Sequence, residues 1–156
     1  MSPGEPRTDP GPDPFDLQRF VDAQARYYEQ ALRELRAGTK RSHWMWFVFP
    51  QLAGLGSSAT AVRYAIGSRE EAEAYLRHPV LGPRLVACAE AACGVPQRSA
   101  RDVFGAPDDL KLRSSATLFA HVSPAGSVFH RLLDRYFDGV PDDRTLRLLR
   151  PPSSGT

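Results

Sequence analysis

The chain has 156 residues, the size of one domain, which excludes a separate cofactor-binding domain beside a catalytic one. Hydrophobic residues make up 42% and aromatics 10%, too much large apolar surface for a disordered chain, and size scaling buries about 69% of the unfolded surface without disulfide or metal staples. The formal net charge of +2 comes from 20 basic residues interleaved with 18 acidic ones, so the electrostatic footprint of a dedicated nucleic-acid binder is missing.

Residues 1–14 carry five prolines, two glycines and no branched or aromatic apolar side chain, so nothing offsets the entropy of ordering them and a disordered tail is expected. From Asp16 the pattern changes. Leu17, Phe20, Val21, Gln24, Tyr27, Tyr28, Ala31, Leu32 and Leu35 recur at three- and four-residue steps, which predicts an amphipathic helix of about five turns stopped by Gly38. Residues 40–51, KRSHWMWFVFPQ, place six consecutive large apolar residues between a polar entry and a proline. Periodicity does not separate strand from buried helix in so short a run. Residues 51–58, QLAGLGSS, form a glycine-interrupted loop in which Ser57 or Ser58 caps a short helix through Tyr64 and Ile66.

Ser68 with Glu71 has capping-box spacing, and Ala72, Tyr75 and Leu76 give the helix that follows its buried stripe, which His78-Pro79 interrupts. A new helix is expected from Pro79, carrying Leu81, Leu85, Val86, Cys88 and Ala92 to a stop at Gly94. Ser99 and Asp102 repeat the cap logic for a turn ending at Phe104 and Gly105. Asp108 or Asp109 caps a helix with Leu112, Ser115, Leu118 and Phe119 inward; Val128, Leu132, Leu133 and Tyr136 mark another, closed by Gly139; Asp142 starts a last one with Leu146 and Leu149. Six to eight helices against one strand candidate predict an all-α domain over 15–149, because a lone strand leaves its backbone groups unpaired. The run at 44–49 is then a core helix, and 150–156 a flexible tail.

Cys88 and Cys93, five apart on one helix, match neither a disulfide framework nor zinc-ligand spacing and read as reduced packing residues. The N-terminal residues lack the apolar stretch of a signal peptide, and the longest apolar run is far short of the ~20 residues of a membrane span, so a cytoplasmic protein is expected.

Ala23-Gln24, KRSHWMWFVFPQ at 40–51, GLGSS at 54–58, YAI at 64–66, Glu71-Ala72 with Tyr75, HPVLGPRL at 78–85 and KLRSSATLF at 111–119, preceded by Asp109, together resemble a family of small bacterial proteins known as domain of unknown function 1810. Some of its members carry the label calpastatin, although nothing here resembles that protease inhibitor. The resemblance covers about residues 15–149 and implies a single multihelical bundle with longer helices surrounded by short ones. It implies no particular activity. A fainter likeness, in a ring-rich start, an EA-bearing helix and a late K-x-x-S helix, is to the YbiA-like family and implies an ADP-ribose derivative as ligand.

The residues themselves suggest a pocket. Lys40, His43, Trp44, Trp46 and Gln51 bring a cation, an imidazole, two indoles and an amide into twelve residues, a mixture that suits an aromatic-walled site with a few polar contacts. Indole rings stack on a base, and an amide reads a base edge with donor and acceptor. Only Lys40 and Lys111 among the 20 basic residues are lysines, which singles both out. Asp109 and Lys111 open a predicted helix where an anion is favoured, with Ser114 and Ser115 one turn on. Ser58, Tyr64 and Arg84 complete the candidate set. Arg84 offers an anion a bidentate fork, or pairs with a carboxylate such as Glu71. Each of these side chains also has an ordinary structural use, in core or cap.

No GxSxG elbow, Walker loop, HExxH or dinucleotide fingerprint occurs, so no cofactor and no metal is expected. The reading is a small-molecule pocket protein with a nucleotide or ADP-ribose-like ligand held by Lys40, Trp44, Trp46, Gln51, Ser58, Tyr64, Arg84, Lys111, Ser114 and Ser115. If it is a hydrolase, an N-glycosidic bond is the target, with His43 moving protons and Asp109 stabilising the cationic sugar. The alternative is a non-catalytic interaction or ligand-sensing module. Neither a membrane nor a nucleic acid is expected as partner.

Overall fold

The computed structural model describes residues 12–150; of the expected tails at 1–14 and 150–156, residues 1–11 and 151–156 lie outside them, while Asp13 is held in place, accepting from Leu17 N at 2.8 Å and Gln18 N at 2.9 Å. Nine helices are described, in the order α1 (Gln18–Ala37), α2 (Met45–Val48), α3 (Ala59–Arg63), α4 (Arg69–Arg77), α5 (Leu81–Cys93), α6 (Ala100–Phe104), α7 (Asp108–His121), α8 (Val128–Phe137) and α9 (Asp143–Leu149). The fold is all-α. The long helices α1, α5, α8 and α7 pack in series, while α2 sits on α1, α4 on α5 and α7, and α6 and α9 on α7.

Helix α1 follows the predicted stripe, burying Phe20, Gln24, Ala31, Leu32 and Leu35, and Gly38 ends it in the left-handed conformation. Its buried Gln24 is not an error of patterning. The amide donates to Phe47 O at 2.7 Å and to the Tyr75 hydroxyl at 3.0 Å, satisfying a carbonyl of the one-turn α2 that has too few turns to pair its own. Around this contact runs a chain of rings, Phe47, Tyr64, Phe20, Tyr75, Phe119 and Phe129, with successive centroids 5.1–5.9 Å apart, the spacing of edge and tilted aromatic packing.

Several boundaries differ from the sequence expectation. The run at 44–49 makes only a single helical turn before Leu52 forms an isolated parallel bridge with Ile66. Neither Asp108 nor Asp109 caps α7: the helix follows Pro107, and no side chain caps it. The helix expected from Pro79 begins at Leu81, because His78 Nδ1 accepts from the N–H groups of Val80 and Leu81 at 3.1 and 3.2 Å. Gly82 is fixed by close approach, since a Cβ there would lie 2.2 Å from the Leu76 carbonyl; that contact is what lets α5 turn back so tightly on α4. Ser58, Ser68, Ser99 and Asp142 cap their helices as expected, and Ser127, which the sequence reading did not single out, caps α8, each satisfying a first-turn donor. Among the described residues no helix is long and apolar enough to cross a membrane.

Candidate functional site

A cleft of about 500 Å³ opens where α2, the loop at 51–58, α7 and the start of α9 meet. That volume lies within the usual range of about 300–1,000 Å³ for ligand pockets. Its lining comes from Trp46 of α2, from Gln51, Leu55, Gly56, Ser57 and Ser58 of the loop with Ala61 of α3, from Pro107, Leu110, Lys111 and Ser114 at the start of α7, and from Asp142 and Arg144 at the start of α9.

The α7 side follows from helical spacing. Lys111 and Ser114 stand three residues apart and share a face, and Ser114 Oγ donates to the Leu110 carbonyl at 3.1 Å, leaving its lone pairs for another donor. The Lys111 ammonium lies 4.6 Å from the centre of the Trp46 ring and 3.4 Å from Asp108. Asp108 also pairs with Lys40 at 2.8 Å. The two lysines of the chain therefore meet on one carboxylate, Lys40 inside the fold and Lys111 at the cleft.

The rim is a loop with adjacent ends. Ala53 N donates to Ile66 O and Ile66 N to Gln51 O, both at 2.8 Å, so residues 53–65 leave and return at one place, as in an Ω-loop. Arg19 holds the returning limb, donating to the carbonyls of Arg63 and Ala65 at 2.8 Å and to Glu71 at 2.9 Å. A Cβ at Gly56 would lie 2.8 Å from that of Ala61, so this rim packs on α3 only with glycine there. The backbone N–H groups of residues 54–58 make no hydrogen bond with a described residue, and such groups need solvent or a ligand.

Of the residues picked from the sequence, Trp46, Gln51, Ser58, Lys111 and Ser114 line this cleft. The others do not. Trp44 is fully buried, its Nε1 donating to Glu34 at 2.9 Å, because residues two apart on a helical turn point ~200° apart and only one indole can face the cleft. Lys40 is spent on Asp108 and on the Ser42 carbonyl at 2.6 Å. His43 is exposed and lies outside the lining, and Asp109 turns its carboxylate onto the neighbouring Leu110 N–H at 2.9 Å; the proposed catalytic pair is not at the cleft. Tyr64 packs against Phe20 and Phe47. Arg84 lies over Tyr28, 4.8 Å from the ring centre, with Nη1 buried and without partner among the described residues. Glu71, offered as its partner, belongs to Arg19 and to the Gly67 N–H. Ser115, about 100° round α7 from Ser114, is buried in the core.

Asp142 and Arg144 were missed as site residues, although the cap at Asp142 was visible. Their position depends on α9 folding back onto α7, where Asp142 N donates to Thr117 Oγ1 at 2.8 Å, a long-range contact with no local signal. Arg19 was missed because an arginine on an amphipathic helix reads as a solvated residue.

A family model described as "Protein of unknown function (DUF1810)" matches residues 14–149. Among solved structures the chain is similar to the conserved hypothetical protein Rv1873 from Mycobacterium tuberculosis, with 59% identity, a TM-score of 0.86, and coverage of 88% of this chain and 98% of that one. No curated protein matches it. The family model reaches from just before the first described helix to the end of α9, and on that extent the chain belongs to the DUF1810 family.

Proposed function

We propose that the protein binds a nucleotide-like small molecule, of the ADP-ribose or nucleoside diphosphate class, in the cleft between Trp46, the 51–58 loop and α7. The observation that carries this reading is convergence: an indole, an amide, two cations (Lys111 and Arg144) and hydroxyls, drawn from four separate segments, line one cavity, beside a loop whose backbone N–H groups have no partner among the described residues. The indole edge and Gln51 suit a base, and the cations with the loop N–H groups suit phosphate oxygens.

The geometry favours binding over turnover. Hydrolysis of an N-glycosidic bond by His43 and Asp109 requires both at the reacting bond, and neither lines the cleft, so a ligand-sensing module is the better-supported form of the proposal. The free thiols of Cys88 and Cys93 support a reducing, cytoplasmic setting for it.

A thermal-shift series with ADP, ADP-ribose and NAD tests the reading. A ligand at about 100 times its Kd adds about 2.7 kcal/mol, several degrees for this size. The expected result is a rise in Tm for the wild type that is lost in Trp46→Ala and Lys111→Met. No shift with any of the three overturns the proposal, and release of free base or nicotinamide on incubation returns the weight to a hydrolase.

A further inference from the structure

Asp142 puts a carboxylate into a cleft that otherwise suits an anion, and its two oxygens are not equivalent. Oδ2 accepts from Thr145 N at 2.9 Å and from Thr145 Oγ1 at 2.6 Å. Thr145 is fully buried, and the Asp142 N–H is tied to α7 through Thr117, so the carboxylate is held in place from both sides. Oδ1 has no hydrogen-bond or ion-pair partner among the described residues, and neither Lys111 nor Arg144 pairs with Asp142. A fixed carboxylate oxygen left open to solvent in a cleft that Lys111 and Arg144 also line is acceptor-only, so a ligand entering there meets it best with a group that donates.

We infer that Asp142 Oδ1 accepts a hydrogen bond from a ribose hydroxyl, so that the cleft selects ribonucleotides over their deoxy counterparts. This rests on the nucleotide reading of the same cleft. A ligand that places a ring against Trp46, phosphates toward Lys111 and Arg144, and a neutral hydroxyl donor at Asp142 carries all three chemistries in one molecule. An anion alone meets repulsion at Asp142, whereas a carboxylate on a sugar diol is a recurrent solution in nucleotide sites. Losing a hydroxyl from a site built to pair it leaves the carboxylate desolvated and unmatched, which is what gives such sites their discrimination.

The test is calorimetric titration of the full chain with ADP and with 2′,3′-dideoxyADP, on the wild type and on Asp142→Asn, which retains a capping oxygen for α9. The wild type is expected to bind ADP roughly tenfold or more tighter than the dideoxy analogue. Asp142→Asn is expected to collapse that ratio toward one while the dideoxy analogue binds no more weakly than before, since a negative charge near phosphate has been removed. Equal wild-type affinities for the two nucleotides overturn the inference and leave the nucleotide reading standing. An equal loss for both in Asp142→Asn, with the ratio intact, makes Asp142 a purely structural cap and also overturns it. If neither nucleotide binds, the inference falls together with the reading beneath it.

Discussion

Trp44 and Trp46 stand two residues apart, each with a lysine against its ring, and the two lysines share Asp108. Their surroundings are opposite. Around Trp44 the polar groups converge on one carboxylate: Glu34 accepts from Arg41 N at 2.8 Å, Ser42 N at 3.0 Å, Ser42 Oγ at 2.7 Å and Trp44 Nε1 at 2.9 Å. Around Trp46, Gln51 makes no hydrogen bond through its side chain with a described residue, and one oxygen of Asp142 is open. The same residue types thus make a closed structural clasp on one side of the turn and an open cleft on the other. What separates structure from candidate function is whether the hydrogen-bonding capacity is used up inside the fold, not the composition of the segment.

The largest expected effect lies on the closed side. Glu34→Ala strands several buried donors and should cost about 3 kcal/mol or more in chemical denaturation; a loss below about 1 kcal/mol would break the distinction between the two sides. Burial by itself raises the Glu34 pKa, but the hydrogen bonds from Arg41, Ser42 and Trp44 outweigh it and hold the carboxyl at about 2, below its ordinary 4.5. Since the folded value is the lower one, this contribution is complete above pH 4.5 and fades as pH falls toward 2. Glu34→Gln should therefore flatten part of the acid loss of stability in that window, and identical slopes for variant and wild type would show that the clasp is not titrating.

Trp44→Phe removes the bond to Glu34 and part of a fully buried ring, for about 2 kcal/mol, whereas Trp46→Phe, at a half-buried site, should stay within about 0.5 kcal/mol in the same denaturation series. Ligand response should reverse that order, with Trp46→Phe changing affinity and Trp44→Phe leaving it alone at temperatures where both are folded. An effect smaller than that of Trp44→Phe sharpens the link between the two sides. Asp108→Asn loosens both lysines at once and should cost about 1 kcal/mol of stability, with affinity for an anionic ligand changed a few-fold through Lys111. A double-mutant cycle between Asp108→Asn and Lys111→Met reads that coupling directly.

Much of the fold was legible because it depends on local spacing. The stripe of α1, its stop at Gly38, the serine caps and the cap at Asp142 each report a contact within four residues along the chain. Part of the candidate cleft was legible for the same reason: Lys111 and Ser114 share a helix face, and Ser58 caps the helix at the rim. Trp44, Tyr64, Arg84 and Ser115 were drawn into the site by their chemistry alone, and their packing partners, Glu34, Phe20, Tyr28 and the core, come from elsewhere in the sequence.

The sequence by itself determined an all-helical fold, the family, and the segments that carry aromatic and polar chemistry, because periodicity and capping act over one turn. Only the tertiary structure decided which indole is core and which is wall, brought both lysines to Asp108, and carried Asp142 and Arg144 to the cleft. Those outcomes depend on a single helical turn dividing residues 44 and 46 between opposite sides, and on contacts such as Asp142 N to Thr117 Oγ1. Such contacts leave no periodic trace in the chain that makes them.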